Sequence, residues 1–162
     1  MMISLMYEGE AFLIVNCGFC GQEVREFYYD PKPEFGCDVT VYNEDSEKAT
    51  LLRFASFMQS YNPHIVTSYN GDRFDYPFLQ RRFELNYLKF TAELGVQESS
   101  GEYFGSHLAH LDCFYWVERD AFLPQGSRGL KAVTKAKLNY EPIEVDPEEM
   151  VYLAKNVTQR LA

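Results

Sequence analysis

His64-Ile65-Val66-Thr67-Ser68-Tyr69-Asn70-Gly71-Asp72-Arg73-Phe74-Asp75-Tyr76-Pro77-Phe78-Leu79 reads as a strand that runs into a turn and leaves it as a helix. The run from His64 to Tyr69 is β-branched and aromatic, follows Asn62-Pro63 and stops at the turn pair Asn70-Gly71. Pro77 is tolerated in a first helical turn, and Phe78, Leu79, Arg82 and Phe83 recur at helical spacing. Asp75 is therefore expected at or just before a helix N-terminus. A carboxylate there has two possible jobs. As an N-cap it accepts backbone N–H bonds that the first turn leaves open, the commonest fate of Asp in this position. As a metal ligand it offers oxygen to a hard cation such as magnesium. Spacing alone leaves both open.

Working outward, Met2 to Met6 and Ala11 to Asn16 read as a β-hairpin joined through Glu8-Gly9-Glu10. Residues Cys17 to Gly36, rich in Gly, Pro and acid, read as a loop, and Asp38 to Tyr42 alternate like a short strand. Asn43 to Ser46 offer caps for a helix carrying Leu51, Leu52, Phe54, Ala55 and Met58, stopped by Asn62-Pro63. After the Asp75 helix, Gln97 to Glu102 is polar and turn-prone and reads as an exposed loop. His110-Leu111-Asp112-Cys113 reads as a strand end leading into a helix through Trp116, with Asp112 in a structural hydrogen-bonding role and Cys113 a packed thiol. Ser127 is expected to cap a helix bearing Leu130, Val133, Thr134 and Leu138. Asp45-Ser46-Glu47 and Asp146-Pro147-Glu148 read as helix starts, the second with Glu149 completing a capping box. The order of elements predicts an α/β fold in one domain over residues 1–162.

At 162 residues the chain is long enough to bury roughly two-thirds of the surface it exposes when unfolded. No apolar run approaches the ~20 residues that span a bilayer, so no membrane partner is expected. A net charge of −9 argues against nucleic-acid binding by general electrostatics, which draws on a basic surface. Lys131, Lys135 and Lys137 form the only basic cluster, a solvated helix face or a weak phosphate contact. Cys17-Gly18-Phe19-Cys20 tempts a zinc reading, but Cys37 and Cys113 form no second pair at zinc-finger spacing. A cysteine-held structural domain is the alternative that metal analysis would decide.

Tyr69 to Leu79, taken whole, resembles the second exonuclease motif of the family B DNA polymerases. The resemblance extends downstream through His110-Leu111-Asp112-Cys113, Trp116-Val117, Arg119-Asp120, Leu123-Pro124, Gly126-Ser127, Leu130-Lys131-Ala132 and Asp146 to Met150. Upstream it takes in Met1 to Ser4 and Pro31 to Phe35. It implies a 3′→5′ proofreading exonuclease of ribonuclease-H-like fold within a DNA-directed DNA polymerase, acting in the nucleus in replication and repair. Four acids there bind two divalent metals, Mg2+ or Mn2+. Two cations about 3.5–4 Å apart must be held against their own repulsion while they clamp the attacking and leaving oxygens of a phosphodiester, which one carboxylate cannot do.

Asp75 matches the second-motif catalytic ligand. The resemblance further implies that Asn70 shapes the exonuclease pocket and that Phe74 lies beside the frayed single-stranded 3′ end. Asn before Gly also fixes a turn through its side-chain amide. The partners implied are DNA, the remaining polymerase domains and accessory replisome subunits; the family's zinc and iron–sulfur cysteines are not implied here. The family's first motif, Asp-x-Glu in an apolar strand, and its last, Tyr-x-x-x-Asp, have no counterpart in this sequence. They are expected before Met1 and after Ala162. The isolated chain is thus expected to be inactive, and a stand-alone DNA- or protein-binding module is the other reading.

Overall fold

The computed structural model describes residues 1–25, 33–120, 123, 128–143, 146, 148–149 and 152. It divides into two compact units, residues 1–54 with 143–162, and residues 55–142.

The first unit is built on a three-stranded sheet in the order β1-β2-β3. β1 (Met2–Tyr7) and β2 (Glu10–Asn16) form the expected antiparallel hairpin, with Tyr7 opposite Glu10. Its two-residue turn has positive φ at both Glu8 (49°) and Gly9 (87°), the backbone that matches strand twist in tight hairpins. Period-two alternation turns Met2 and Met6 outward, 57% and 62% exposed, while Phe12 and Ile14 of β2 are buried. β3 (Asp38–Glu44) then pairs parallel to β2, so residues 17–37 make a crossover.

Its described parts, residues 17–25 and 33–37, are not the plain loop that composition suggests, and residues 26–32 lie outside the described residues. Cys17–Cys20 form a single helical turn, α1, capped by the Asn16 side chain and closed by Gly21 in the left-handed region. Pro33–Phe35 form a 3₁₀ turn. The Asn43 side chain accepts from the Val24 amide at 2.8 Å and donates to its carbonyl at 2.9 Å, tying the segment to β3. Long-range ties of this kind are invisible to local pattern. Ser46 fulfils its expected role at the start of α2 (Glu47–Tyr61), accepting from the Ala49 amide at 3.2 Å. α2 carries the chain from the first unit into the second.

The second unit holds β4 (Ile65–Ser68) parallel to β7 (Ala109–Asp112), with Ser68 opposite Asp112. Between them come α3 (Asp75–Leu85), α4 (Phe90–Leu94) and the antiparallel pair β5 (Val96–Ser99) and β6 (Glu102–Gly105). The polar stretch 97–102 is exposed, as expected, but forms a hairpin in place of a loop. Ser100 and Gly101 supply positive φ of 57° and 84°, the same turn chemistry as the first hairpin, and β6 buries Tyr103. α5 (Cys113–Arg119) and α6 (Leu130–Leu138) follow.

The core of this unit is aromatic. Phe83 and Phe90 meet edge to face at 5.6 Å, Tyr76 stacks on Tyr103 at 5.1 Å, and Val96, Leu94 and Val117 fill around them. Cys113 is exposed at the start of α5, not packed in a strand, because the strand ends one residue earlier. Gly129 stands at the N-cap of α6; Ser127, expected there, lies outside the described residues. The Glu148 amide donates to Asp146 Oδ1 at 2.8 Å, as the expected cap requires; Pro147 lies outside the described residues.

Candidate functional site

In parallel strand pairs, ligands bind beyond the carboxyl ends of the strands, where turns and helix starts converge. Here those ends are Ser68 and Asp112 in register, and the chain beyond β4 is the turn Tyr69 to Phe74. Asn70 has φ 61°, a left-handed backbone that Asn tolerates better than most side chains. Its carbonyl accepts from the Phe74 amide at 3.1 Å, and the Gly71 carbonyl accepts from the Tyr76 amide at 2.9 Å. These bonds wind the turn directly into α3. Gly71 is required for space: a Cβ there would collide with the Ser68 side chain.

Asp112 anchors this turn from below. Its Oδ1 accepts from the Asn70 amide at 2.7 Å and from Phe114 at 2.9 Å, and its Oδ2 from the Asp72 amide at 3.1 Å. One carboxylate thus caps α5 and holds two amides of the neighbouring turn, as its expected structural role demands. The Asn70 side-chain amide, expected to fix the turn, makes no hydrogen bond among the described residues. Its backbone does that work.

Asp72 and His110, which sequence reading passed over, form a buried relay. Asp72 Oδ1 accepts from the Tyr103 amide at 2.8 Å and lies 3.2 Å from His110 Nδ1, with side chains 4% and 1% exposed. Nδ1 also meets the Tyr103 carbonyl at 3.0 Å, and Nε2 meets Ser68 Oγ at 2.8 Å. Both neighbours of Nδ1 are acceptors, so that nitrogen carries the proton. The order Ser–His–Asp mimics a nucleophilic triad, but an imidazole buried under the Tyr76 ring at 4.6 Å locks β4, β6 and β7 together instead. The alternation of β7, which turns His110 and Asp112 to one side, was the available signal. Burial, then the charges of Asp72 and Asp75, pushes the Tyr76 phenol up to about 12.

Asp75 is the first residue of α3. The N-cap is Phe74, whose side chain makes no capping bond, so the carboxylate is not spent on the helix end as a plain N-cap. Asp75 is exposed, yet partial desolvation raises its pKa above the usual carboxylate range; its own backbone amide opposes this and the nearby Asp112 charge adds to it. Phe74 is 68% exposed and Phe78, one turn on, 49% exposed. An acid and a bare aromatic ring therefore stand side by side at the mouth of the strand pair.

Among the described residues no three His, Cys, Asp or Glu side chains group to hold a metal ion. Asp112, the nearby acid, already accepts from three amides. The described residues therefore do not by themselves make a two-metal centre. Cys17 donates to the Glu44 carbonyl at 3.2 Å, and desolvation, then the charges of Asp45 and Glu23, holds its thiol above the ordinary range. Of the basic cluster, Lys135 pairs with Glu141 at 3.4 Å and Lys137 with Asp120, which fits the solvated-face reading.

A mixed α/β chain with an acid-bearing turn at the carboxyl end of a parallel pair suits an exonuclease domain. The family described as DNA polymerase family B, exonuclease domain, matches residues 1–133, and the chain belongs to that family. Within it, the chain is similar to DNA polymerase epsilon catalytic subunits. It is 46% identical over 163 residues to the one from Candida glabrata, covering 100% of this chain and 7% of that relative. It is 45% identical over 163 residues to that of Saccharomyces cerevisiae, covering 100% and 7%, and 48% over 164 residues to one of Arabidopsis thaliana, covering 100% and 8%. The chain thus spans under a tenth of the length of these relatives.

Proposed function

We propose that the chain is part of the 3′→5′ proofreading exonuclease domain, of ribonuclease-H-like fold, of a nuclear replicative polymerase. Asp75 is one carboxylate ligand of a site for two divalent cations, Mg2+ or Mn2+, whose other ligands lie outside the described residues. Phe74 stacks on the terminal base of a single-stranded 3′ end, and Asn70 turns its side-chain amide toward the same pocket. DNA is the substrate; the remaining polymerase domains and accessory replisome subunits are the partners.

The observation that carries this reading is the pairing of Asp75 with Phe74. A carboxylate in the first turn of its helix, not its N-cap, neighbours in sequence a ring that is two-thirds exposed, at the end of a strand pair where ligands gather. Base–aromatic stacking is worth about 1–3 kcal/mol and tolerates any sequence, as proofreading needs. The match of residues 1–133 to the exonuclease family supports it, since it crosses both units.

The test is photocrosslinking. A single-stranded oligonucleotide with 5-iododeoxyuridine at its 3′ terminus should crosslink to residues 70–78, and Phe74→Ala should remove the adduct. Crosslinks that map elsewhere, or that form equally well from a 5′-terminal label, would overturn the assignment.

A further inference from the structure

We propose that Arg73 and Arg128 form a clamp for a backbone phosphate of the strand whose 3′ end lies at Asp75; the inference rests on the exonuclease reading. Arg73 belongs to the turn after β4, two residues before Asp75. Arg128 lies just ahead of α6, its carbonyl held by the Tyr69 hydroxyl. Their guanidinium groups flank the same atom, Glu118 Oε1 of α5, at 3.8 Å and 3.7 Å. Three segments thus bring two cations together, one of them two residues from the candidate metal ligand.

These separations are too long for hydrogen bonds, so Glu118 holds the arginines by charge alone. Among the described residues neither guanidinium donates a hydrogen bond, and their side chains are 53% and 56% exposed. Two guanidinium groups thus share one carboxylate, in a chain whose overall charge is −9. Arg73 is further steadied over the rings of Phe114 at 5.3 Å and Tyr115 at 5.5 Å. A phosphate has the charge and oxygen geometry to take the open donors of two planar guanidinium forks. Arg73 next to the exposed Phe74 then places a phosphate contact beside a base contact, as a single strand requires. Glu118 acts as a stand-in anion that keeps the clamp assembled and is displaced or shared when the strand arrives.

The experiment is fluorescence anisotropy of a labelled single-stranded oligothymidine with the full chain, over a series of salt concentrations. Arg73→Gln and Arg128→Gln should each weaken binding roughly fivefold, the order set by a half-exposed charge-assisted contact. Each should also reduce the salt slope by about 0.7, the value for one phosphate of a single strand. Glu118→Gln should tighten binding about threefold; misfolding weakens binding and cannot mimic that gain. If the unaltered chain binds and Phe74→Ala weakens it, but the arginine variants match the unaltered chain or Glu118→Gln weakens it, the clamp is overturned and the exonuclease reading stands. If the unaltered chain fails to bind at low salt, the DNA-facing reading of this turn falls and the clamp falls with it.

Discussion

Replacing Asp112 by Ala tests how the site is held, because three backbone amides converge on that one carboxylate. The Phe114 bond is the N-cap of α5, worth about 1 kcal/mol. The bonds from Asn70 and Asp72 are charge-assisted but only part-buried, so each counts for about 1 kcal/mol once water replaces the lost acceptor. The expected loss is about 3 kcal/mol, or roughly 6–12 °C in Tm for a chain of this size. Asp112→Asn keeps Oδ1 as an acceptor but loses the charge and turns a donor toward the Asp72 amide, so about half that loss is expected. Denaturant unfolding gives the magnitude, and amide hydrogen exchange gives the place: protection should fall first at Asn70, Asp72 and Phe114. An Asp112→Ala chain within about 0.5 kcal/mol of the original, with those amides still protected, would refute the reasoning.

Other expectations follow from the same neighbourhood. Gly71→Ala should cost about 1–3 kcal/mol, since the new Cβ must displace Ser68 from its 2.8 Å bond to His110; adding Ser68→Gly should recover part of the loss, and strict additivity would contradict the clash. Tyr76→Phe reads out the phenol raised to about 12. A folded pKa above the unfolded value of about 10 means the native state holds its proton longer, so stability falls as pH rises from about 10 to 12. The original chain should lose roughly 2 kcal/mol more than Tyr76→Phe across that window, and parallel pH curves would contradict it. Asp75 is also raised, so folding disfavours its ionised form. Asp75→Asn should therefore show a higher Tm at pH 7 and no difference where both states are protonated; a lower Tm at pH 7 would count against a desolvated carboxylate.

The sequence was readable where structure is local. The hairpin of β1 and β2, the end of β4 at Asn70-Gly71, the Ser46 cap and the helix opening at Asp75 all follow from turn chemistry and period. It misled where one short signal has two meanings. Ser99-Ser100-Gly101-Glu102 looks like loop because its side chains are polar, yet positive φ at two successive residues makes it a hairpin turn. Asn70 looked like a side-chain anchor, but its left-handed backbone and an amide bond to Asp112, 42 residues away, fix the turn. The Asp72–His110 relay spans 38 residues, and no periodicity links its partners. The position of Asp75 at the helix start was legible because Asn70-Gly71 ends the strand and Pro77 suits a first helical turn. Its independence from the helix cap needed coordinates.

The most direct measurement compares the two activities of a polymerase that carries this exonuclease segment, with Asp75 intact and as Asp75→Asn, on a primer with a mismatched 3′ end. With Asp75→Asn, 3′→5′ removal of the mismatch should be abolished while extension of a paired primer continues at the original rate. Unchanged excision in the Asp75→Asn enzyme, or equal loss of excision and extension, would contradict it.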